Sequence, residues 1–366
     1  MNNKTILVAA MLFLAVPGGL ALAEDDNSII GSMGAKPAMM VSTVPSNEDL
    51  NPYGVAVVPD GFPRSGVLNP GDILVSSFNN GNNLQGTGST IVQIQPNGGA
   101  STFFRGFNTP IGQLGLTTAL GVLREGFVLV GNLPTPDGTC AAINAPGSLL
   151  VIDRNGRQID SLVNPTLLNG PWDLTVHDEG SLATVFVSNV LSGTVVRLIL
   201  RVSHGGIQVQ SATQIASGYV HRCDPAALVV GPTGLAYDAA RDVLYVASTG
   251  DNEIFAIANA GTTDTDSGMG TLVYQDNTHL HGPLHLVLAP NGNLLASQGD
   301  AVNADAAQPS EIVEFTKTGQ FVAQFSVDSS GQGGAFGFAL KAVDTDFRLA
   351  AVDDVNNTLE IWIVSE

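Results

Sequence analysis

Two residues stand out because of the segments they occupy. Asp173 lies in Pro171-Trp172-Asp173-Leu174 and His285 in Pro283-Leu284-His285-Leu286, whereas the sibling segments Pro52-Tyr53-Gly54-Val55 and Pro232-Thr233-Gly234-Leu235 carry glycine at the third place. A carboxylate and an imidazole can act as general base and acid, and both can ligate a divalent cation. Asp173 and His285 are therefore the candidate catalytic residues. His279, His281 and His221 lie nearby in sequence, and imidazoles converging with a carboxylate form the donor set of Zn²⁺ or another transition metal. The candidate metal ligands are thus His221, His281, His285 and Asp173. His279 and His281 put both rings on one side only in extended chain, and their spacing matches no strong zinc signature.

A second set of polar residues follows a series of apolar runs: Asn79, Asn132, Asn189, Asp251, Gln298 and Asp353. Oxygen-bearing side chains at equivalent places could form a polar ring and hold Ca²⁺, which takes about six to eight oxygen ligands. The competing role is local, because Asn and Asp cap turns by bonding nearby backbone. Ca²⁺ and Zn²⁺ are accordingly the candidate cofactors. The two cysteines, Cys140 and Cys223, would pair as an accessory staple in an oxidising compartment, with metal ligation beside His221 as the alternative. Asp264 to Gly268 has a partial calcium-loop look but lacks the downstream glutamate, and reads as a polar hairpin. Gly331 to Gly334 lacks the lysine and helix of a phosphate loop, and no Gly-x-Ser-x-Gly elbow occurs.

The elements that must position these residues repeat along the chain. Units start at Pro52 to Val57, Gly115 to Leu120, Pro171 to Val176, Pro232 to Tyr237, Pro283 to Leu288 and Phe336 to Leu340. Each start leads through a turn to a second apolar run: Asp72 to Ser76, Gly126 to Val130, Ala183 to Ser188, Asp242 to Ala247, Gly292 to Ser297 and Asp346 to Val352. A third run follows at Thr90 to Ile94, Ser148 to Ile152, Thr194 to Leu198, Glu253 to Ile257, Glu311 to Phe315 and Thr358 to Ile363. In the first five units a glycine-containing turn precedes a fourth strand, as at Phe321 to Phe325, but the sixth ends at Glu366 without one. The period of roughly 50 to 60 residues fits propeller blades with loop insertions. The predicted fold is all-β, a six-bladed β-propeller over residues 36–366, with Ala38 to Val44 supplying the outer strand of the last blade and so protecting its edge. A pair of β-sandwiches is the alternative, but it does not call for six matching starts.

The unit Pro232-Thr233-Gly234-Leu235-Ala236-Tyr237-Asp238, continuing through Asp242 to Ile254, resembles the NHL repeat. The chain is similar to the superfamily of six-bladed propellers that includes NHL-repeat proteins and SMP-30/gluconolactonase-like enzymes. That resemblance implies architecture more firmly than activity, since the scaffold hosts lactonases, lyases and binding proteins. It also implies that second-to-third strand loops and interblade connections share the face around the central tunnel. The longest such loops are Asn79 to Ser89, Gly131 to Gly147 and Gln298 to Ser310. Gluconolactonase-like enzymes open their first blade with a Glu-Gly-Pro-type segment that supplies a metal-binding glutamate, but this chain has Asn51-Pro52-Tyr53-Gly54, so that calcium site is not carried over.

The chain starts Met1-Asn2-Asn3-Lys4, continues in an apolar run from Ile6 to Val16 and reaches Ala21-Leu22-Ala23 before Glu24. This is the pattern of a secretory signal peptide over residues 1–23, too short to span a bilayer, and 24–35 reads as a flexible segment. A periplasmic or secreted location is expected, with no membrane association after cleavage. The formal net charge of −19 disfavours nucleic acid and anionic membrane surfaces and suits cationic ligands or metal ions. Two functions are open at this stage. One is an exported binding or scaffold propeller engaging a protein, peptide, carbohydrate or small molecule through the long-loop face. The other is a divalent-metal-dependent, lactonase-like hydrolase or lyase with its site at the tunnel mouth.

Overall fold

The structure, a computed structural model, describes residues 28–106, 114–305, 312–330, 334–343 and 346–365. The expected signal peptide, the first three residues of the Gly331 to Gly334 turn and the end of the Gln298 to Ser310 loop lie outside the described residues. Six four-stranded antiparallel sheets follow one another along the chain, each starting at its innermost strand. The inner strands are Leu50–Val57, Leu116–Leu123, Pro171–Asp178, Pro232–Asp238, Pro283–Leu288 and Phe338–Val343, and they define blades 1 to 6 of a six-bladed propeller.

Blade 6 is completed from the other end of the chain. Met39–Ser42 pairs with the strand Thr358–Ser365 in the register Met39 to Ile361 through Ser42 to Thr358. The expected closure is therefore observed, and it removes the sheet edge that the chain's end would otherwise expose. Just past it, Thr43 N donates to Asn357 O at 3.0 Å and Asn51 N to Asn357 Oδ1 at 2.8 Å, which ties blade 1 to blade 6. Of the segment expected to be flexible, residues 28–35 are described: Ile29 and Ile30 are buried, and Ser28 Oγ and Ile30 N both donate to Glu314 Oε2, at 2.8 and 3.1 Å.

The second strands explain the near-continuous apolar runs in the sequence. Ile73–Asn79 and Phe127–Asn132 are buried at every position, because a strand in the middle of a blade packs a neighbouring blade on each face. Outer strands such as Ala100–Arg105 and Phe321–Phe325 are largely exposed or half-buried. Hydrophobic wedges fill the spaces between blades. Leu74 and Ile91 meet Leu120, Val128 and Leu150 between blades 1 and 2, and Val75 and Val92 meet Ala350 and Leu359 between blades 6 and 1. Each fully buried aliphatic side chain contributes about 1.5–3 kcal/mol, so the ring is held shut by its wedges rather than by its loops.

Five of the six inner strands slip register near their start, between Pro52 and Val55, Leu116 and Leu120, Pro171 and Leu174, Pro232 and Leu235, and Pro283 and Leu286. A bulge of this kind leaves backbone groups without ladder partners and re-aims the side chain it carries. Serines near the end of the second strands satisfy the freed amides. Ser76 Oγ accepts from Gly54 N at 3.0 Å, Ser188 Oγ from Asp173 N at 3.1 Å and Ser297 Oγ from His285 N at 3.0 Å. Ser76 then donates to Thr117 O at 3.0 Å and Ser297 to Phe336 O at 2.6 Å, each in the next blade. Asp173 and His285 are thus held by their backbones at defined points on the inner rim.

Candidate functional site

Asp173 and His285 meet. His285 Nδ1 lies 2.7 Å from Asp173 Oδ2; a carboxylate only accepts, so Nδ1 carries the proton. Asp173 is 1% exposed, and its Oδ1 accepts from Leu174 N at 2.8 Å. The residues come from blades 3 and 5, on either side of blade 4, whose equivalent position is Gly234. A Cβ at Gly234 would fall 2.5 Å from Leu286 N and 2.6 Å from His285 C, so glycine is required there for blade 5 to approach, and it leaves room for the pair to form. His285 and its neighbours from all six inner strands line a central channel of about 320 Å³. Burial falls along those strands: Leu174, Leu235 and Leu286 are buried, whereas Val176, Tyr237 and Leu288 are half-buried. The pair therefore sits at the closed end of the channel.

The wider metal set does not assemble. Both ring nitrogens of His281 face backbone carbonyls, Nδ1 at 2.5 Å from Asn303 O and Nε2 at 3.2 Å from Thr278 O. His221 is exposed, with Nδ1 3.0 Å from Tyr219 O. His279 Nδ1 lies 2.5 Å from Asp276 Oδ2, and its ring stacks on Phe321. Among the described residues no group of three or more His, Cys, Asp or Glu side chains is placed to hold a metal ion. The expected quartet of His221, His281, His285 and Asp173 is corrected to the single pair Asp173 and His285. Backbone carbonyls face the rings of His221 and His281, and the Asp276 carboxylate that of His279.

The proposed polar ring also resolves differently. Gly115 N donates to Asn132 Oδ1 at 2.9 Å, Asn169 N to Asn189 Oδ1 at 3.0 Å and Val220 N to Asp251 Oδ2 at 3.0 Å, and His281 N donates to Gln298 Oε1. Asn79 Nδ2 donates to Asn83 Oδ1 at 2.7 Å, and Asp353 accepts from the backbone and side chain of Asn356. The register sets Ser77 and Ser248, not Asn79 and Asp251, level with Asn132, Asn189 and Gln298 in their second strands. These side chains fasten turns and the connections entering the blades, and none of the six lines the cavity at the mouth. Local capping won over convergence because each connection leaves an amide needing a buried acceptor.

Cys140 and Cys223 are joined as a disulfide, with Cα atoms 5.6 Å apart across a separation of 83 residues. Cys223 belongs to a hairpin unanticipated in the sequence, Arg222–Asp224 paired with Leu228–Val230 inside the connection to blade 4. Its signal was the Asp224-Pro225 dipeptide, where Asp224 Oδ1 accepts from Ala226 N at 2.9 Å. Gln85 Nε2 of blade 1 donates to Ala226 O at 2.7 Å. Connections from blades 1, 2 and 4 are thereby fastened together on the loop face.

Beneath them lies a small cavity. Its floor includes Tyr53, Phe78, Leu284 and Phe336, and its wall includes Asn51, Val229 and Asp300. Tyr53 stacks on Phe78 at 4.6 Å and lies 4.9 Å from Phe336, with Trp172 edge-on to both Tyr53 and Phe78 at 6.0 and 5.5 Å. This aromatic layer separates the cavity from the channel below. Sequence reasoning passed over it, although the residue after the opening proline of the unit is aromatic at Tyr53 and Trp172. Negative charge is crowded at the same end of the axis. Burial raises the Asp354 carboxyl to about 7, with Asp353 and Asp300 adding to the shift. Asp300, exposed overall, is also raised, by partial desolvation reinforced by Asp224, and burial raises the Tyr53 hydroxyl, reinforced by Asp300, Asp354 and Asp173.

No family model and no curated protein matches the chain. Among solved structures it is similar to a putative oxidoreductase (glucose dehydrogenase) from Thermus thermophilus, at 12% identity and TM-score 0.51, over 89% of this chain and 99% of that one. It is also similar to regucalcin, a calcium-binding protein from Agrobacterium tumefaciens, at 13% identity and TM-score 0.49, over 89% and 96%. A chain of a nidogen/laminin complex matches at 11% identity and TM-score 0.49, over 79% and 84%. At such identities the likeness is one of fold, and the fold is the six-bladed β-propeller.

Proposed function

We propose that this chain is an exported binding propeller that seats a small ligand, or a side chain of a partner, in the loop-face cavity. The observation that carries the reading is the aromatic-floored cavity beneath connections fastened by Cys140–Cys223 and by Gln85 to Ala226. A cavity braced in advance loses less ordering entropy on binding. The leader pattern of residues 1–23 and the cysteine pair support export together. Binding is favoured over metal-assisted hydrolysis because His221 and His281 are engaged by backbone away from Asp173 and His285.

A thermal-shift panel of cationic, neutral and anionic small molecules on the mature chain tests the reading, run beside an Ala227→Trp variant that fills the cavity. Ligands that raise the Tm of the parent and not of the variant support it. Ligands that act equally on both, or a panel that acts on neither, overturn it.

The 2.7 Å contact of His285 with Asp173 favours a second reading, acid–base chemistry at the closed end of the channel with His285 as the base. Turnover of any ester or lactone that is unchanged in Asp173→Asn would sink it.

A further inference from the structure

The geometry points to a compact alkylated ammonium group, such as a trimethylammonium head, as the occupant of the loop-face cavity. This rests on the reading of that cavity as the binding site and adds the chemical class of what enters. Size is the first constraint. The cavity offers about 40 Å³, room for one head group, whereas whole drug-sized ligands need roughly 300 Å³ or more.

Lining is the second. Tyr53, Phe78 and Phe336 supply aromatic surface and Leu284 and Val229 aliphatic surface. Rings attract a cation through their negative faces, and an alkylated ammonium needs no hydrogen-bond acceptors to leave water. Of the polar lining, the Thr233 and Thr249 hydroxyls are turned to each other, at 2.9 Å, and to Pro283 O, at 3.0 and 2.7 Å, which leaves Asn51, Gln85 and Asp300 to meet the three N–H donors of a primary ammonium.

Charge is the third. Asp300 stands in the wall, and the carboxylates of Asp300, Asp354 and Asp173 all bear on the Tyr53 hydroxyl. An anion entering there would meet the Asp300 carboxylate, and the chain as a whole carries −19. Asn51 Oδ1, also in the wall, is buried with no hydrogen-bond partner among the described residues. An oxygen of this kind suits the polarised C–H groups of an N-methyl cation.

Isothermal titration of the intact mature chain with choline, with its neutral isostere 3,3-dimethylbutan-1-ol and with n-butylammonium tests the assignment. Choline is expected to bind at least about tenfold more tightly than the isostere, and Phe336→Leu to weaken it by about five- to tenfold. Asp300→Asn should erase most of the preference for charge, while Phe336→Tyr, which keeps the ring, should bind as the parent does. Circular dichroism confirms that each variant is folded. Equal affinity for choline and the isostere overturns the cation but leaves the binding cavity standing. Tighter binding of n-butylammonium overturns the alkylated head, and failure of all three probes overturns the assignment outright. Choline binding that survives Ala227→Trp places the ligand elsewhere and overturns this inference together with the reading beneath it.

Discussion

The two sides of the aromatic layer handle negative charge in opposite ways. At the closed end of the channel, Asp173 is buried and hydrogen-bonded to His285 from a blade two positions away, so its charge is answered within the fold. At the loop face, Asp300, Asp353 and Asp354 crowd one another, and burial with mutual repulsion holds Asp354 at about 7. The first end is built from inner strands, whose backbone positions are fixed by the ring. The second is built from connections, whose positions depend on a disulfide and a few loop hydrogen bonds. Asp173 is paired across the ring, whereas Asp354 keeps the repulsion of its neighbours.

The largest effect should come from unfastening the loop face. Replacing Cys140 and Cys223 by serine releases a loop closed over 83 residues, and chain entropy puts the loss at about 4 kcal/mol or less. Urea titration should show that loss, with choline binding weakened and the Asp173–His285 contact still visible in imidazole nitrogen shifts. If the imidazole signals change as much as ligand affinity does, the two ends are not independent.

Breaking the inner end comes next. His285→Ala strands a buried carboxylate and should cost about 3 kcal/mol, and the double variant with Asp173→Ala should lose less than the sum of the single losses. Additive losses in the cycle would show that the contact contributes nothing. Gly234→Ala should cost about 2 kcal/mol, because the new Cβ meets backbone of blade 5 rather than a side chain that could turn aside. Its imidazole nitrogen shifts should move as well, since blade 5 carries His285.

The smallest effect concerns pH. A carboxyl whose folded pKa lies above its unfolded value makes the native state bind more protons, so stability falls as pH rises from about 4 towards 7. Asp354→Asn should therefore stabilise the chain at pH 8, on the order of 1 kcal/mol after allowing for its partial exposure, and make no difference at pH 4. Denaturation midpoints at the two pH values check this, and a gain at pH 4 equal to that at pH 8 would falsify the crowding argument.

Much of this was legible in the residues, and the rest had a physical reason to be hidden. The six starts, the near-continuous apolar second strands and the missing fourth strand were enough to place Met39–Ser42 against Thr358–Ser365, because period and edge protection are properties of the chain read in order. The glycine exceptions Asp173 and His285 were singled out for the same reason: a repeat makes its deviations visible. Which histidines would meet was not legible. His281 is as close to His285 in sequence as any histidine, yet its ring is engaged by the Asn303 and Thr278 carbonyls, and such loop contacts are fixed only once the connections have packed. The polar ring failed similarly, since equivalent places in a repeat guarantee equivalent backbone and not convergent side chains.

The sequence by itself determined the repeat, the ring closure and the pair of departures from glycine, because local patterning and chain order specify strands and their partners. Only the tertiary structure decided that blades 3 and 5 meet across the glycine of blade 4, and that an aromatic layer from blades 1, 3 and 6 divides the axis into a channel and a cavity. Those juxtapositions depend on the curvature of the closed ring, a distance between residues far apart in the chain that no local pattern records.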